Sequence, residues 1–441
     1  MLKFFLWLRY LRKKRIVFLS IAAVALIVSL LIAVASLFTG FIKVFEQSAV
    51  KAMGDVVLEP PMRFDKYPLL IEQLEKIGAV EAATGVLSAQ GLLLLDTGDV
   101  RPVSIRGIEP ERQDKVTGFQ QSLIKHNNSS DGSSFKVPDF PDRVSGFVSV
   151  GVLTEPDEET DEYDFAAAEE MIGHQVILTT GTVSGEEATR KVIKFEIADI
   201  VFTGVYELDK SFVYLPIEEL QKELYPDENG QIANQIQIKL AGDVETRSAL
   251  TQIRGVWDVF AGKQLSEWEP YLILQTAITT AKELQSPYIT ELRKQMRILI
   301  FIFGVVDFSV VLLIICIFYM IVRLKQRDIA IIKSCGAASG SVCSIFVAFG
   351  FCVGIAGSLF GVVLGYLITK NINVIEEFIR KICGLKLWKS SVYMFSEIPN
   401  EVNWFWALAI VSIAIAAAVF GALIPAIVAA GTKPVDILRY E

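Results

Sequence analysis

The chain has 441 residues, 52% of them hydrophobic and 21% charged, with a mean hydropathy of +0.45 and a formal net charge of −8. So apolar an average excludes an ordinary water-soluble enzyme. The acidic balance excludes a nucleic-acid binder, which needs a basic face.

The apolar residues gather in four charge-poor runs, 16–42, 298–322, 342–368 and 402–430. Each exceeds the roughly 20 residues that carry a helix across the hydrocarbon core. Ahead of the first run, residues 1–15 hold Lys3, Arg9, Arg12, Lys13, Lys14 and Arg15 and no acid. The run extends unbroken to Ile42, beyond the about 7–15 residues of a signal-peptide core, and reads as a retained anchor. Residues 43–53 continue it as a helix, with Val44, Phe45, Ser48 and Ala52 along one side.

The segment 43–297 carries 25 basic residues against 42 acidic, a net of −17, and no cysteine. Strand-like pieces at 91–95, 100–107, 175–180, 190–203, 212–215 and 235–240 alternate with helix-like pieces at 67–77, 217–224 and 243–253. Gly, Pro and Asp turns separate them, which predicts an α+β domain. Residues 131–141 read as a polar loop. Residues 155–170 hold nine acids and no base and read as a solvated loop; EF-hand spacing for calcium is missing. Residues 271–296 contain no glycine and one proline, and predict a helix rising into the second run with a break or kink at Pro287.

Between the second and third runs, Arg323, Lys325, Arg327 and Lys333 outweigh Asp328. Basic short loops remain cytoplasmic. The expected topology therefore has both termini and the loop 323–341 inside, with the segment 43–297 and a second loop at 369–401 outside. Residues 323–337 predict a short amphipathic helix closed by Gly336. The third run reads G-F-C-V-G-I-A-G-S-L-F-G-V-V-L-G, so Gly350, Gly354, Gly357, Gly361 and Gly365 share nearly one helix face. Such a stripe lets a neighbouring helix approach closely in lipid.

No catalytic constellation is legible. A phosphate loop, an H-E-x-x-H pair and a nucleophile elbow are all missing from the sequence. His126 and His174 are the two histidines, both read as surface or loop residues, so no metal or cofactor site is expected. Asp307 is the lone acid within the runs, and an intramembrane carboxylate is a functional candidate or a helix–helix hydrogen bond.

Residues 325–337, the glycine-patterned run, Y-M-F-S-E-I-P-N-E at 393–401, Pro425-Ala426 and the ending K-P-V-D-I-L-R-Y-E resemble the permease subunits of bacterial lipoprotein-releasing ABC transporters. This is the LolC/LolE family, within the wider MacB/FtsX-type permeases. The N-terminal L-R-Y-L and the stretch 200–216, with G-V-Y-E-L-D-K-S-F-V-Y-L-P, are similar too.

The resemblance implies an inner-membrane permease without catalytic activity, with four membrane helices and a large MacB-like periplasmic domain between the first two. It implies two copies of a separate ATPase, which binds the ATP and magnesium, and a second permease of the same type. Residues 323–337 would be the coupling helix, with Lys325, Arg327, Asp328, Ile331 and Lys333 at the ATPase. Transmission of motion through helical stalks would extract a lipoprotein from the outer leaflet for a periplasmic carrier. Acyl chains would enter near Phe38, Phe41, Ile298, Phe301, Asp307 and Phe308. The proline-rich carrier hook of the LolC branch has no counterpart in the hairpin 180–192, which lacks proline. A MacB-like exporter, an FtsX-like regulator of cell-wall hydrolases and a membrane-anchored receptor without an ATPase are the competing readings.

Overall fold

The computed structural model describes residues 15–96, 98–125, 135, 143–157, 161–184, 187–226, 231–242, 244–265, 267–284, 286–324, 326–384, 386–389, 395 and 397–431. The chain divides into a membrane unit, from Met1–Lys43, Ile289–Phe378 and Ile398–Glu441, and an inserted domain, from Val44–Tyr288 with Ile379–Glu397.

In chain order, α1 (Arg15–Met53) carries the first apolar run and continues through residues 43–53. Then come β1 (Val56–Glu59), α2 (Tyr67–Leu74), β2 (Val80–Leu94), β3 (Val100–Ile108) and α3 (Pro110–Thr117). β4 (Ser145–Ser149) and the single turn α4 (Val150–Leu153) precede α5 (Phe165–Glu170) and the hairpin β5 (Gln175–Ser184) and β6 (Glu187–Val201). Next are α6 (Tyr206–Ser211), β7 (Phe212–Pro216), α7 (Ile217–Leu224), β8 (Gln235–Leu240) and α8 (Thr246–Gln264). The domain ends with α9 (Pro270–Gln275), β9 (Ala277–Thr280) and α10 (Ala281–Leu284). α11 (Ser286–Leu324), α12 (Gln326–Ser334), α13 (Ser339–Lys370), α14 (Ile372–Cys383) and α15 (Trp404–Gly431) complete the described chain.

Four of these helices, α1, α11, α13 and α15, are long and apolar enough to cross a membrane. The strands form one sheet in the order β3-β7-β4-β6-β5-β2-β8-β1-β9. Because β3 also pairs with β2, six strands close into a ring. The long β2 makes this possible: Leu87–Leu94 pairs with β3, and Val80–Val86 pairs with β8 in the open part of the sheet. Closure removes two sheet edges that would otherwise need cover. Leu93, Ile105, Leu178, Phe195, Val213 and Leu215 are buried in the same apolar core. On α8, Ile253, Trp257 and Phe260 lie on one helical face, with Phe64 edge-on to Trp257 at 5.4 Å. Full burial of side chains this size stabilises by roughly 2–3 kcal/mol each.

Two expectations change. Residues 271–296 are not one helix: Ala-Ile-Thr-Thr at 277–280 pairs with β1 as β9, its branched side chains suiting the pleat. Pro287 sits in the first turn of α11, just after α10 ends at Leu284, so it marks the expected break and not a kink, and its missing N–H costs nothing there. The described part of the acidic stretch 155–170 keeps most of its acids exposed, as expected, but is not loop throughout. Asp164 accepts the Ala167 N–H at 3.0 Å and caps α5, while Glu155 lies 2.6 Å from Arg101 and Glu162 3.5 Å from Arg380. The polar loop 131–141, Phe135 excepted, lies outside the described residues.

Candidate functional site

The membrane unit holds an apolar cleft of about 170 Å³ between α1, α11 and α15. Its lining repeats one spacing three times: Leu31/Val34/Ala35/Phe38, Met296/Leu299/Ile300/Phe303 and Trp406/Ala409/Ile410/Ile413. Positions i, i+3, i+4 and i+7 form one helical stripe, so each helix turns a single apolar face to the cleft. Met296–Phe303 begins the membrane run of α11 and Trp406–Ile413 begins α15. At 1.5 Å per residue each stripe is about 10 Å tall. No lining residue carries a formal charge. An apolar cavity near 150 Å³ stays dry and accepts hydrocarbon. The cleft can hold an apolar chain and has no group that could do acid–base chemistry.

Of the residues expected at such a site, only Phe38 lines it. Ile298, Phe301 and Phe308 lie on another face of α11, where Phe301 is 73% exposed. Phe41 is half-buried outside the lining, and the side chain of Asp307 lies outside what the structure describes. Both stripes of α11 are apolar, so their composition does not separate them. The same i, i+3, i+4, i+7 spacing recurs at Ile298, Phe301, Ile302 and Val305, so no signal in the sequence singles out the cleft.

The glycine stripe of α13 divides between two neighbours. A methyl group at Gly350 would collide with the Ala422 side chain, and one at Gly354 would come within 3.1 Å of Ala418 Cβ, both on α15. At Gly357 and Gly361 it would meet Val24 and Val28 of α1 at 2.7 and 2.6 Å, and at Gly365 Ile32 at 3.1 Å. α13 is thus clasped by α15 along one half and α1 along the other. α11 joins the same core through Ile314, Ile317, Phe318 and Ile321.

α12 follows α11 and ends as the sequence predicts, with Gly336 at φ 92° and its N–H donating to the Lys333 carbonyl at 3.0 Å. Ile329 and Ala330 are buried, Ile329 packing with Val322, Val342 and Ala429 at the ends of α11, α13 and α15. The outward side carries Arg327 and Ile331, both exposed, and Asp328 is half-buried. Lys333, expected to face a partner, donates to the Ala430 carbonyl at 2.7 Å and caps α15. His126 and Lys325 lie outside the described residues. His174 is exposed on the domain, 3.0 Å from Asp96.

Within the inserted domain, the strand after α1 and the strand before α11 are neighbours. β1 pairs antiparallel with β9 from Val56↔Thr280 to Glu59↔Ala277. Gly54, at φ 77°, ends α1, and a side chain there would meet Val116 Cγ1 at 2.8 Å and the Ile238 carbonyl at 2.9 Å. Asp55, just before β1, ties its start to β8 and α10: its N–H donates to Ile238 O, its carboxylate accepts the Leu240 N–H, and its carbonyl accepts the Ala281 N–H. Thr280 and Glu283 form a reciprocal capping box at 3.0 and 3.1 Å. Arg106 donates to the Ala52 carbonyl at 3.3 Å and lies 4.4 Å above the Phe212 ring; burial holds its pKa below the usual arginine value. Asp209, in the stretch 200–216, accepts the Thr203 N–H and hydroxyl at 2.7 and 2.8 Å, and burial pushes its carboxyl up to about 6. Spacing alone singles out neither residue.

Residues 300–434 match the FtsX-like permease C-terminal family. Over 98% of both chains, the sequence is 28% identical to the lipoprotein-releasing system transmembrane protein LolC of Neisseria meningitidis and 25% identical to that of Xylella fastidiosa. Over nearly its whole length the chain is thus similar to LolC permeases. A LolE from Haemophilus influenzae is 32% identical over 32% of this chain and 33% of its own length. Among solved structures, the periplasmic region of MacB from Actinobacillus actinomycetemcomitans covers 54% of this chain and 95% of its own. Its identity is 12% and its TM-score 0.32, too slight a likeness to carry an argument.

Proposed function

We propose that this permease is the membrane subunit of an ABC transporter that extracts lipoproteins from the outer leaflet of the bacterial inner membrane and releases them to a periplasmic carrier. The observation that carries the reading is the full-length match to LolC on both chains. The uncharged, three-helix cleft supports it, since an acyl chain needs an apolar slot and no chemistry. Both termini and α12 face the cytoplasm in this reading, and the inserted domain faces the periplasm.

ATP and magnesium belong to a separate ATPase, present as two copies beneath a pair of permeases. Arg327, Asp328 and Ile331 meet the ATPase, and Ile329 passes its movement to the packed ends of α11, α13 and α15. α11 responds most freely, because the half that bears the cleft is packed least. Its shift relative to α1 squeezes the cleft and is carried along β1 and β9 into the domain. No bond is made or broken in this chain; its work is mechanical.

The test fills the cleft. In membranes reconstituted with the ATPase, Ala409→Phe is expected to lower release of triacylated lipoprotein about tenfold while ATP hydrolysis persists. Asp328→Lys is expected to abolish ATPase association. Undiminished release from the filled cleft, or depletion without retained lipoprotein in the inner membrane, would sink the proposal. An exporter or hydrolase regulator would leave lipoprotein release untouched in both experiments.

A further inference from the structure

The segment between α13 and α15 read as a plain outer loop, yet the chain forms the 12-residue helix α14 there. Val374, Ile375, Phe378 and Ile382 fall within about 100° of its circumference, at the helical spacing of an amphipathic face. They are 66%, 38%, 63% and 66% exposed. Asn373, Glu376 and Arg380 occupy the opposite side. The polar edge is tethered to the chain: Asn373 donates to the Ile398 carbonyl at 3.2 Å and accepts the Ile398 N–H at 3.0 Å. Holding that edge forces the apolar edge outward, and no residue of α14 is buried.

What covers the stripe follows from the helix before it. α13 ends at Lys370, and only Asn371 separates it from α14. Phe360, Val363, Leu364 and Leu367 are exposed on α13 to within one turn of that end, the surface a membrane helix offers to lipid. Tyr366 stacks on Trp404 at 6.1 Å, and the Lys370 ammonium lies 5.8 Å from the Tyr366 ring. Paired aromatics beside a lysine mark the level where hydrocarbon gives way to headgroups. α14 therefore begins at that boundary. Residues 370–389 hold five basic residues against two acids, opposite in sign to the −17 of the segment 43–297. Within α14 the charges balance, Arg380 and Lys381 against Glu376 and Glu377, and the excess lies in the flanking Lys370, Lys386 and Lys389; an amphipathic helix with basic flanks suits an anionic headgroup layer.

We propose that α14 is an interfacial helix that lies in the headgroup layer at the Lys370 end of α13, with Val374, Phe378 and Ile382 inserted among the first methylenes of phospholipid. The full chain, its five cysteines replaced, is reconstituted in vesicles of phosphatidylethanolamine and phosphatidylglycerol. An environment-sensitive fluorophore is attached at Val374→Cys, Phe378→Cys or Ile382→Cys, and at Glu377→Cys as the polar-face control. The three apolar sites are expected to emit blue-shifted light and to be quenched at least twofold more by lipid spin-labelled near the headgroup than the control. These are surface positions, so the fold tolerates the labels, and co-elution with the unlabelled chain verifies it. Equal, weak quenching at all four sites would overturn the proposal. So would a blue shift without lipid quenching, accompanied by cross-linking through residue 378, which would assign the stripe to a second copy of the chain.

Discussion

In the membrane unit one helix packs along a continuous stripe of missing side chains, whereas the interior of the inserted domain is filled by its largest side chains. Gly350, Gly357 and Gly361 bring α13 against α15 and α1. Trp257, Phe195 and Phe147 fill the domain's interior. The solvent explains the contrast. Lipid offers no hydrophobic drive between helices, so close backbone approach supplies the attraction. Water drives large apolar groups together and penalises any polar group left unpaired. The domain accordingly buries Arg106 and Asp209 with hydrogen-bond partners. The two units should therefore fail in different ways, and α11 should fail least, since its cleft-bearing half is clasped by neither means.

The largest effect is expected from adding bulk to the stripe. Gly361→Leu places atoms within 2.6 Å of Val28 Cβ and 2.9 Å of the Ala25 carbonyl. Overpacking of this kind costs about 3 kcal/mol, so the melting temperature of the detergent-solubilised chain should fall by several degrees and the folded yield with it. An unchanged melt would erase the contrast between the units. Gly54→Val comes next, with a positive φ and a carbonyl in the way. About 2 kcal/mol should be lost from the domain's unfolding transition alone.

Third is the pH dependence of Asp209. Its folded pKa of about 6 lies above the usual carboxylate value, so the folded domain binds the proton more tightly than the unfolded chain. Stability should rise by about 1 kcal/mol as pH falls from 7.5 to 5, the reverse of the usual salt-bridged carboxylate. Asp209→Asn should flatten that profile when unfolding is followed across the same range. The smallest effect tests α11: Phe301→Ala should change stability by less than about 0.5 kcal/mol. A loss near 2 kcal/mol would mean that this face is covered by another helix in the folded assembly.

Much of the fold could be read locally. Ile217–Leu224 and Gln235–Leu240 are found as expected, because amphipathic periodicity and branched residues mark them without reference to distant chain. β2 was seen only in part: Val-Glu-Ala-Ala-Thr-Gly at 80–85 has modest strand preference, and β8 makes it a strand by pairing. β4 and β9, five and four residues long, are likewise products of their partners. In the membrane unit, composition places all four helices but not their faces. Residues 296, 299, 300 and 303 of α11 are as apolar as 298, 301, 305 and 308, and only the neighbours decide which set lines the cleft. The tethered side of α14 was equally hidden, since it depends on Ile398 across the following loop.

The β1–β9 ladder has a consequence for how such a protein can vary. Everything from residue 60 to residue 276 leaves and returns by adjacent strands, with Val56 directly opposite Thr280. To the two helices that flank it, this is a detour with its ends already joined. Its length and contents can change while the spacing of its entry and exit does not. That segment is in this sense a cassette, joined to α1 and α11 at one four-residue clasp, its other ties being to residues 379–397 of the same domain.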